Sequence, residues 1–280
     1  MTIYETIIQK LITAKIPSPR LEARLLLAHI LHQNENDASI LQTSLTQSQE
    51  KTLQELLSKR IEKHYPLDKL IGHKGFYKYD FAVNEDVLSP RPDTEILVEK
   101  AVQISEQRKI RILDLGTGSG CILLSLLKEN EQATGVGVDI SAAALDVARQ
   151  NAQQLGVNSR VSWLNASWFE NDFTNRFAQS FELIVSDPPY IPEEDITELD
   201  AEVKDHDPLA ALSGGRDGLI SYRRLAETAP RLLAEEGTIL LECGINQAQK
   251  VAEIFVAHGL ILSEILKDLQ GIDRCIILKK

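Results

Sequence analysis

The sequence predicts an α/β fold: a seven-stranded, doubly wound sheet, preceded by a separate N-terminal helical bundle and joined to it by a β-hairpin linker. Three observations carry this. No glycine occurs before Gly72, and apolar residues up to that point recur at helical spacing. Closely spaced aromatic residues then follow over a short stretch. From Ile110 onward, apolar strand-like runs alternate with helical patterns, and the last two runs have no helix between them. The expected division is residues 1–71, 72–91 and 92–280.

In the bundle, Ile3, Ile7, Ile8 and Leu11 mark a first helix, which Pro17, Ser18 and Pro19 break. Leu21, Leu25, Leu26, Leu27 and Leu31 mark a second, with Glu22 and Arg24 expected on another face. After a polar link from Gln33 to Asp37, Leu53, Leu56, Leu57 and Ile61 mark a further helix that ends at Tyr65-Pro66. No ligand-type side chain clusters with His29 or His32, so these read as helix-surface or core-edge residues. Phe76, Tyr77, Tyr79, Phe81 and Val83 read as a hairpin, with a turn at Asn84-Glu85-Asp86. Two prolines, Pro90 and Pro92, keep the next segment out of helix, and Asp93 or Thr94 is expected to cap the helix begun by Ile96, Leu97 and Val98.

The alternation then runs in order. Strands are expected at 110–115, 135–139, 161–164, 181–187 and 237–243, and helices at 121–128, 142–155, 221–233 and 247–258. Strands at 260–266 and 274–278 should be antiparallel, because no crossover helix separates them.

The formal net charge is −11, and the region through Gly72 is nearly balanced, so the acidity lies in the remainder. An acidic surface opposes broad nucleic-acid binding. Cys121, Cys243 and Cys275 sit in apolar segments without metal-ligand spacing, as buried free thiols would. No metal is expected. The N-terminal run lacks a signal-peptide core and no apolar run approaches membrane-spanning length, so a cytoplasmic protein is expected, with monomer as the default.

Two motifs carry chemistry. Gly116-Thr117-Gly118-Ser119-Gly120 lies between a strand and a helix, where glycines let a ligand approach the backbone. The next strand ends in Asp139, whose carboxylate can accept from both hydroxyls of a ribose. Asp114, just before the turn, is poor company for a pyrophosphate and suits an α-amino group beside a sulfonium, which favours S-adenosylmethionine over NAD. The second motif, Asp187-Pro188-Pro189-Tyr190, follows the fourth strand at the sheet edge where ligands bind. Its prolines donate no hydrogen bond, its carbonyls can accept from a substrate N–H, and Tyr190 offers a flat face.

Together these motifs resemble the class I, Rossmann-like methyltransferases that act on planar nitrogen. Pro19-Arg20-Leu21-Glu22-Ala23, the Phe76–Asn84 aromatic segment, Pro90-Arg91-Pro92-Asp93-Thr94-Glu95 and the loop from Val203 to Arg223 narrow the likeness: nearly the whole chain resembles the PrmC/HemK family. The resemblance implies methylation of the side-chain amide (N5) of the glutamine in the Gly-Gly-Gln motif of peptide-chain release factors. The helical domain would bind the substrate protein. Gly116, Thr117, Gly118, Ser119 and Gly120 would wrap the methionine part of the cofactor, Asp139 would hold the ribose, and Trp168 would pack beside the adenine. Asp187, Pro188, Pro189 and Tyr190 would hold the glutamine amide, with Asp187, Pro188 and Tyr190 acting in the transfer and Asp187 also beside the cofactor.

Asp187 departs from the family pattern, which has asparagine there; Lys69, Lys78, Ser89 and Cys243 depart elsewhere, the last three as surface or packing variation. An ionised aspartate only accepts, whereas asparagine also donates. Retained glutamine methylation is expected, because the transfer needs an acceptor. Asp187-Pro188-Pro189-Tyr190 also resembles adenine-N6 DNA methyltransferases, and a non-catalytic binding protein keeping the fold is the third reading. The negative charge and the lack of a large target-recognition insertion oppose the DNA reading.

Overall fold

The computed structural model describes residues 2–105 and 107–280; Met1, at the head of the N-terminal run, and Glu106 lie outside the described residues. The chain forms two compact units, residues 1–73 with 200–206, and residues 74–199 with 207–280.

The first unit is helical: α1 (Ile3–Thr13), α2 (Pro19–Leu31), α3 (Gln47–Glu62) and the short α4 (Leu67–Ile71). Thr2 with Glu5, and Thr46 with Gln49, form capping boxes that satisfy the first N–H groups of α1 and α3. Leu11, Leu26, Leu27 and Leu53 are fully buried at the centre. Ser18 takes a left-handed conformation and Pro19 opens α2, so the proline break works as the sequence predicts. Glu22 corrects one expectation. It is buried, and both its carboxylate oxygens accept from the Arg60 guanidinium, at 2.7 and 2.8 Å. Arg60 also meets Glu202, from the 200–206 segment, at 2.7 Å. A bidentate partner is what lets this charge leave the polar face of α2. Helix also resumes after Pro66, which becomes the N-cap of α4.

The hairpin of β1 (His73–Phe76) and β2 (Tyr79–Ala82) follows, and all of it after His73 lies in the second unit. Its turn is Tyr77-Lys78, with Tyr77 at φ 57° and its N–H held by Glu95 at 2.9 Å. Asn84–Asp86 forms a second turn after β2. Next come α5 (Glu95–Ser105), β3 (Arg111–Leu115), α6 (Cys121–Glu129), β4 (Thr134–Asp139), α7 (Ala142–Gln154), β5 (Val161–Asn165) and β6 (Phe181–Ser186). The short α8 (Ala201–Lys204) belongs to the helical unit; α9 (Leu209–Leu212), α10 (Ile220–Leu232), β7 (Leu233–Glu242), α11 (Ala248–Val256), β8 (Ile261–Lys267) and β9 (Asp273–Lys279) complete the sheet unit. Asp93 and Thr94 do not act as the expected cap of α5. Asp93 pairs with Arg274 at 3.5 Å, and the Thr94 side chain is buried.

The seven strands run in the order β5-β4-β3-β6-β7-β9-β8. β5, β4, β3, β6 and β7 are parallel, and β9 is antiparallel to both β7 and β8. Order reverses between β3 and β6, and both motifs lie at that crevice, at the C-terminal ends of their strands. One face buries Leu113, Leu115 and Ile184, the other Ile112, Val185 and Leu240, so side chains alternate between two apolar layers. Cys243 and Cys275 are buried and Cys121 half-buried; all three are free. Among the described residues, no helix is long and apolar enough to cross a membrane.

Candidate active site

The glycine turn closes on itself. Gly116 and Thr117 N–H both bond the Val138 carbonyl at 2.9 Å, and Gly120 N–H bonds Thr117 at 2.8 Å. Gly116, Gly118 and Gly120 all have positive φ, which a side chain would strain. A Cβ on Gly118 would meet nothing within 4 Å; one on Gly116 would meet the Trp168 ring at 3.4 Å and the Asp187 carbonyl at 3.9 Å. The turn is therefore open on one side, and on the other it touches two of the predicted residues.

Asp139 is half-buried. One of its oxygens accepts from Gly118 N–H and the other from Ser141 N–H, each at 2.9 Å. Burial raises its pKa and these N–H groups oppose the rise. Each oxygen keeps a further lone pair toward the cavity. Buried Asn151 fixes the turn from behind, donating to the Ser119 carbonyl at 2.9 Å and pairing with both backbone groups of Ala82.

The Asp187–Tyr190 segment is clamped by the loop that follows it. Ile191 N–H bonds Leu212, Gly214 N–H bonds Ile191, and Gln247 Nε2 donates to the Tyr190 carbonyl at 2.9 Å. Gly218, at φ 73°, is so close that a Cβ would lie 2.4 Å from that carbonyl. Ser186 Oγ ties the end of β6 to the Leu115 carbonyl at 2.6 Å.

One cavity brings most of the predicted residues together. Gly116, Thr117, Gly118, Ser119, Asp139, Trp168, Asp187 and Pro189 all line it. Gly120 stands behind the turn, its own Cβ space taken by Leu124 and Ala148. Pro188 is buried beside the lining, and the Tyr190 ring packs toward Gly244 and the core. The wall also includes Thr94, from the Pro90–Glu95 segment that the family resemblance puts near the site, and residues that motif reading did not place there: Ser89, Arg91, Ile140, Ser141 and Ala211. Ser89 thus corrects its reading as packing variation, because it faces the cavity. Lys78 is a surface pair with Glu129, and Cys243 is core.

The electrostatics are dominated by carboxyls. Asp114 is fully buried; one oxygen accepts from Thr117 Oγ1 at 2.7 Å, and Oδ1 has no partner among the described residues. Burial pushes it up to about 7. Burial, with the neighbouring Glu242 and Asp114, raises Asp187 well above the usual carboxylate range, against the pull of Arg274 and Arg91. Glu242 escaped motif reading. The available signal was a single acid closing the apolar run Ile239-Leu240-Leu241.

The sheet order, with an antiparallel β9 between β7 and β8 and a glycine turn after β3, defines a Rossmann-like methyltransferase fold. A methyltransferase domain model matches residues 106–258, and a PrmC N-terminal domain model matches residues 3–72. A solved Streptococcus mutans structure assigned to the SAM-dependent methyltransferases superposes with a TM-score of 0.52 at 12% identity, over 72% of this chain and 53% of that one. A release factor glutamine methyltransferase from Rhodospirillum rubrum is 42% identical over 97% of this chain and 82% of its own length. Another, from Agrobacterium fabrum, is 39% identical over 97% of this chain and 94% of its own. The chain belongs to the release factor glutamine methyltransferase family.

Proposed function

We propose that this chain transfers the methyl group of S-adenosylmethionine to the side-chain amide nitrogen, N5, of the glutamine in the Gly-Gly-Gln motif of peptide-chain release factors. The observation that carries this is the sharing of one cavity by the glycine turn, Asp139 and Asp187. The residues suit this cofactor. The unpartnered Asp114 Oδ1 can accept from an α-ammonium, the open face at Gly118 leaves room for close approach, and Asp139 can hold a ribose. When bound, S-adenosylmethionine supplies a sulfonium-activated methyl.

An amide nitrogen is a poor nucleophile, because its lone pair is delocalised into the carbonyl. Placement is therefore what the protein contributes, and holding the nitrogen in line at near-attack distance supplies much of the rate. The Asp187 side chain accepts one amide hydrogen and the Pro188 carbonyl the other, which stabilises the positive charge that develops on nitrogen. Tyr190 borders the amide and helps exclude water. The amide nitrogen would gain the methyl in a new N–C bond as the sulfonium–methyl bond breaks, its electron pair staying on sulfur as a thioether, and one N–H proton would pass to solvent water. Trp168, against Gly116, closes the cofactor side of the cavity. The helical unit, which the PrmC N-terminal model matches, recognises the partner protein. The protein works in the cytoplasm, where translation ends.

Purified chain, labelled S-adenosylmethionine and purified release factors test this directly, with a release factor carrying alanine in place of the Gly-Gly-Gln glutamine and an adenine-containing DNA duplex in parallel. Label should enter only the intact release factor. Label in DNA would instead support the adenine-N6 reading, and cofactor binding without transfer to either would support a binding protein.

A further inference from the structure

Asp187 sits at the end of β6 and Glu242 at the end of β7. Their strands pair in parallel up to Ser186 and Leu241, so the register places Asp187 beside Glu242 one step further. Neighbouring parallel strands lie about 4.8 Å apart, and register partners point to the same face. Asp114, on β3, pairs in register with Val185 and so shares that face. Three carboxyls therefore converge where three adjacent strands end. Glu242 is 2% exposed, and its Oε2 has no hydrogen-bond partner among the described residues. The nearby cations are engaged elsewhere: Arg274 with Asp268 and Asp93, at 3.2 and 3.5 Å, and Arg91 with Asp207 at 3.0 Å. Two buried carboxylates and a half-buried one, placed together, cannot all ionise.

We propose that Glu242 is a positioning residue: it shares one proton with Asp187 across the adjacent strand ends and keeps Asp187 a neutral acid facing the cavity. In that form Asp187 offers one accepting oxygen and one donating O–H, the same two capacities as an asparagine side chain. The carbonyl oxygen accepts the substrate amide hydrogen, and the O–H donates to Glu242, a donor role that an ionised aspartate lacks. This rests on the glutamine-amide reading of the same cavity.

The groups acting on Asp187 support the assignment. Glu242 and Asp114 raise it, as burial does, while Arg274 and Arg91 lower it. Tyr190 and the Cys121 thiol also face this charge and are themselves raised by burial, so both stay neutral. Glu242 is pushed up to about 7 by burial, opposed by the Thr94 hydroxyl and Arg274.

The first test uses the free protein and needs no substrate. The infrared difference between the wild-type chain and Asp187→Asn at pH 7 should contain a protonated-carboxyl band that belongs to Asp187. In Glu242→Gln that band should titrate at a pH lower by about one unit or more, a tenfold weaker hold on the proton. Glu242→Met, which can neither share a proton nor carry a charge, should do the same, and circular dichroism establishes that each variant is folded. Absence of an Asp187-dependent band at pH 7, or a band that neither Glu242 variant moves, overturns the proposal. The second test is the pH profile of methyl transfer with the cofactor saturating. Wild-type rate should fall as pH rises through the titration of the pair, Glu242→Gln should fall at lower pH, and Asp187→Asn should lack the fall. A wild-type rate that instead rises through that titration makes Asp187 an ionised base and overturns the proposal. If no transfer to release factors occurs at any pH, the functional reading fails while the infrared result still decides the shared proton.

Discussion

Gly218→Ala probes the acceptor segment without touching the cavity lining. Gly218 has φ 73°, and alanine in a left-handed conformation costs about 1–2 kcal/mol. The new Cβ would lie 2.4 Å from the Tyr190 carbonyl and 2.5 Å from Gln247 Nε2, so both must move. That movement breaks the 2.9 Å bond between them, worth about 0.5–1.5 kcal/mol. The sum is a loss of about 2–3 kcal/mol in stability. The larger effect is on catalysis. Relieving the clash shifts the Tyr190 backbone by close to an ångström, and misplacement on that scale costs about 100-fold in rate. Gly218 is not part of the cavity wall, so cofactor affinity should hold. Urea unfolding, calorimetric titration with S-adenosylmethionine and steady-state transfer to a release factor separate the three quantities. Unchanged kcat would refute the clamp. A cofactor affinity that falls in step with kcat would refute the assignment of this segment to the acceptor side.

Other outcomes follow from the same structure. Arg60→Met leaves Glu22 and Glu202 without their shared cation and should cost about 3–5 kcal/mol in chemical unfolding of the full chain; a loss below about 1 kcal/mol would contradict the buried triad. Asp114→Asn removes the charge proposed to meet the cofactor ammonium. It should weaken S-adenosylmethionine about 10- to 100-fold by calorimetry, the worth of one charged hydrogen bond, and unaltered affinity would place the ammonium elsewhere. Burial pushes Asp114 up to about 7 when folded and raises the Asp187–Glu242 pair as well, against about 4 for these carboxyls in an unfolded chain. Their contribution to stability is therefore fully present below pH 4 and is lost as pH rises through 7, a decline of a few kcal/mol in the cofactor-free protein. Thermal melts from pH 5 to 8 check this, and a melting temperature that rises over that range would be the wrong sign.

The strands were legible because apolar β-branched runs and glycine punctuation make a strong local signal. Ile112 to Leu115 and Phe181 to Val185 each needed only their own residues to be placed. The parallel order followed from connectivity, and the antiparallel last pair from the missing crossover. What the sequence hid depends on distant partners. Glu22 looks like a solvent-facing charge until Arg60, on another helix, is seen to pair with it. Tyr77 forms the hairpin turn because Glu95 holds its N–H, although a tyrosine carries no turn signal. The strand before α11 begins at Leu233 rather than Gly237, since an irregular register with β6 extends the pairing. The site divides in the same way. The glycine turn, Asp139 and Asp187 advertise themselves as motifs, whereas Ser89 and Glu242 reach the site only because the fold brings separate segments to the ends of β3, β6 and β7. The segment 200–206 is the clearest case, as it lies beyond β6 in sequence yet packs with the helical unit.

Peptide mass mapping of a release factor after incubation with this protein and S-adenosylmethionine tests the central claim most directly. A single added methyl is expected, located by fragmentation on the side-chain amide nitrogen of the Gly-Gly-Gln glutamine, and lost when Asp187 is replaced by alanine. An unmodified glutamine after incubation with a folded, cofactor-binding protein, or a methyl on any other residue, would contradict it.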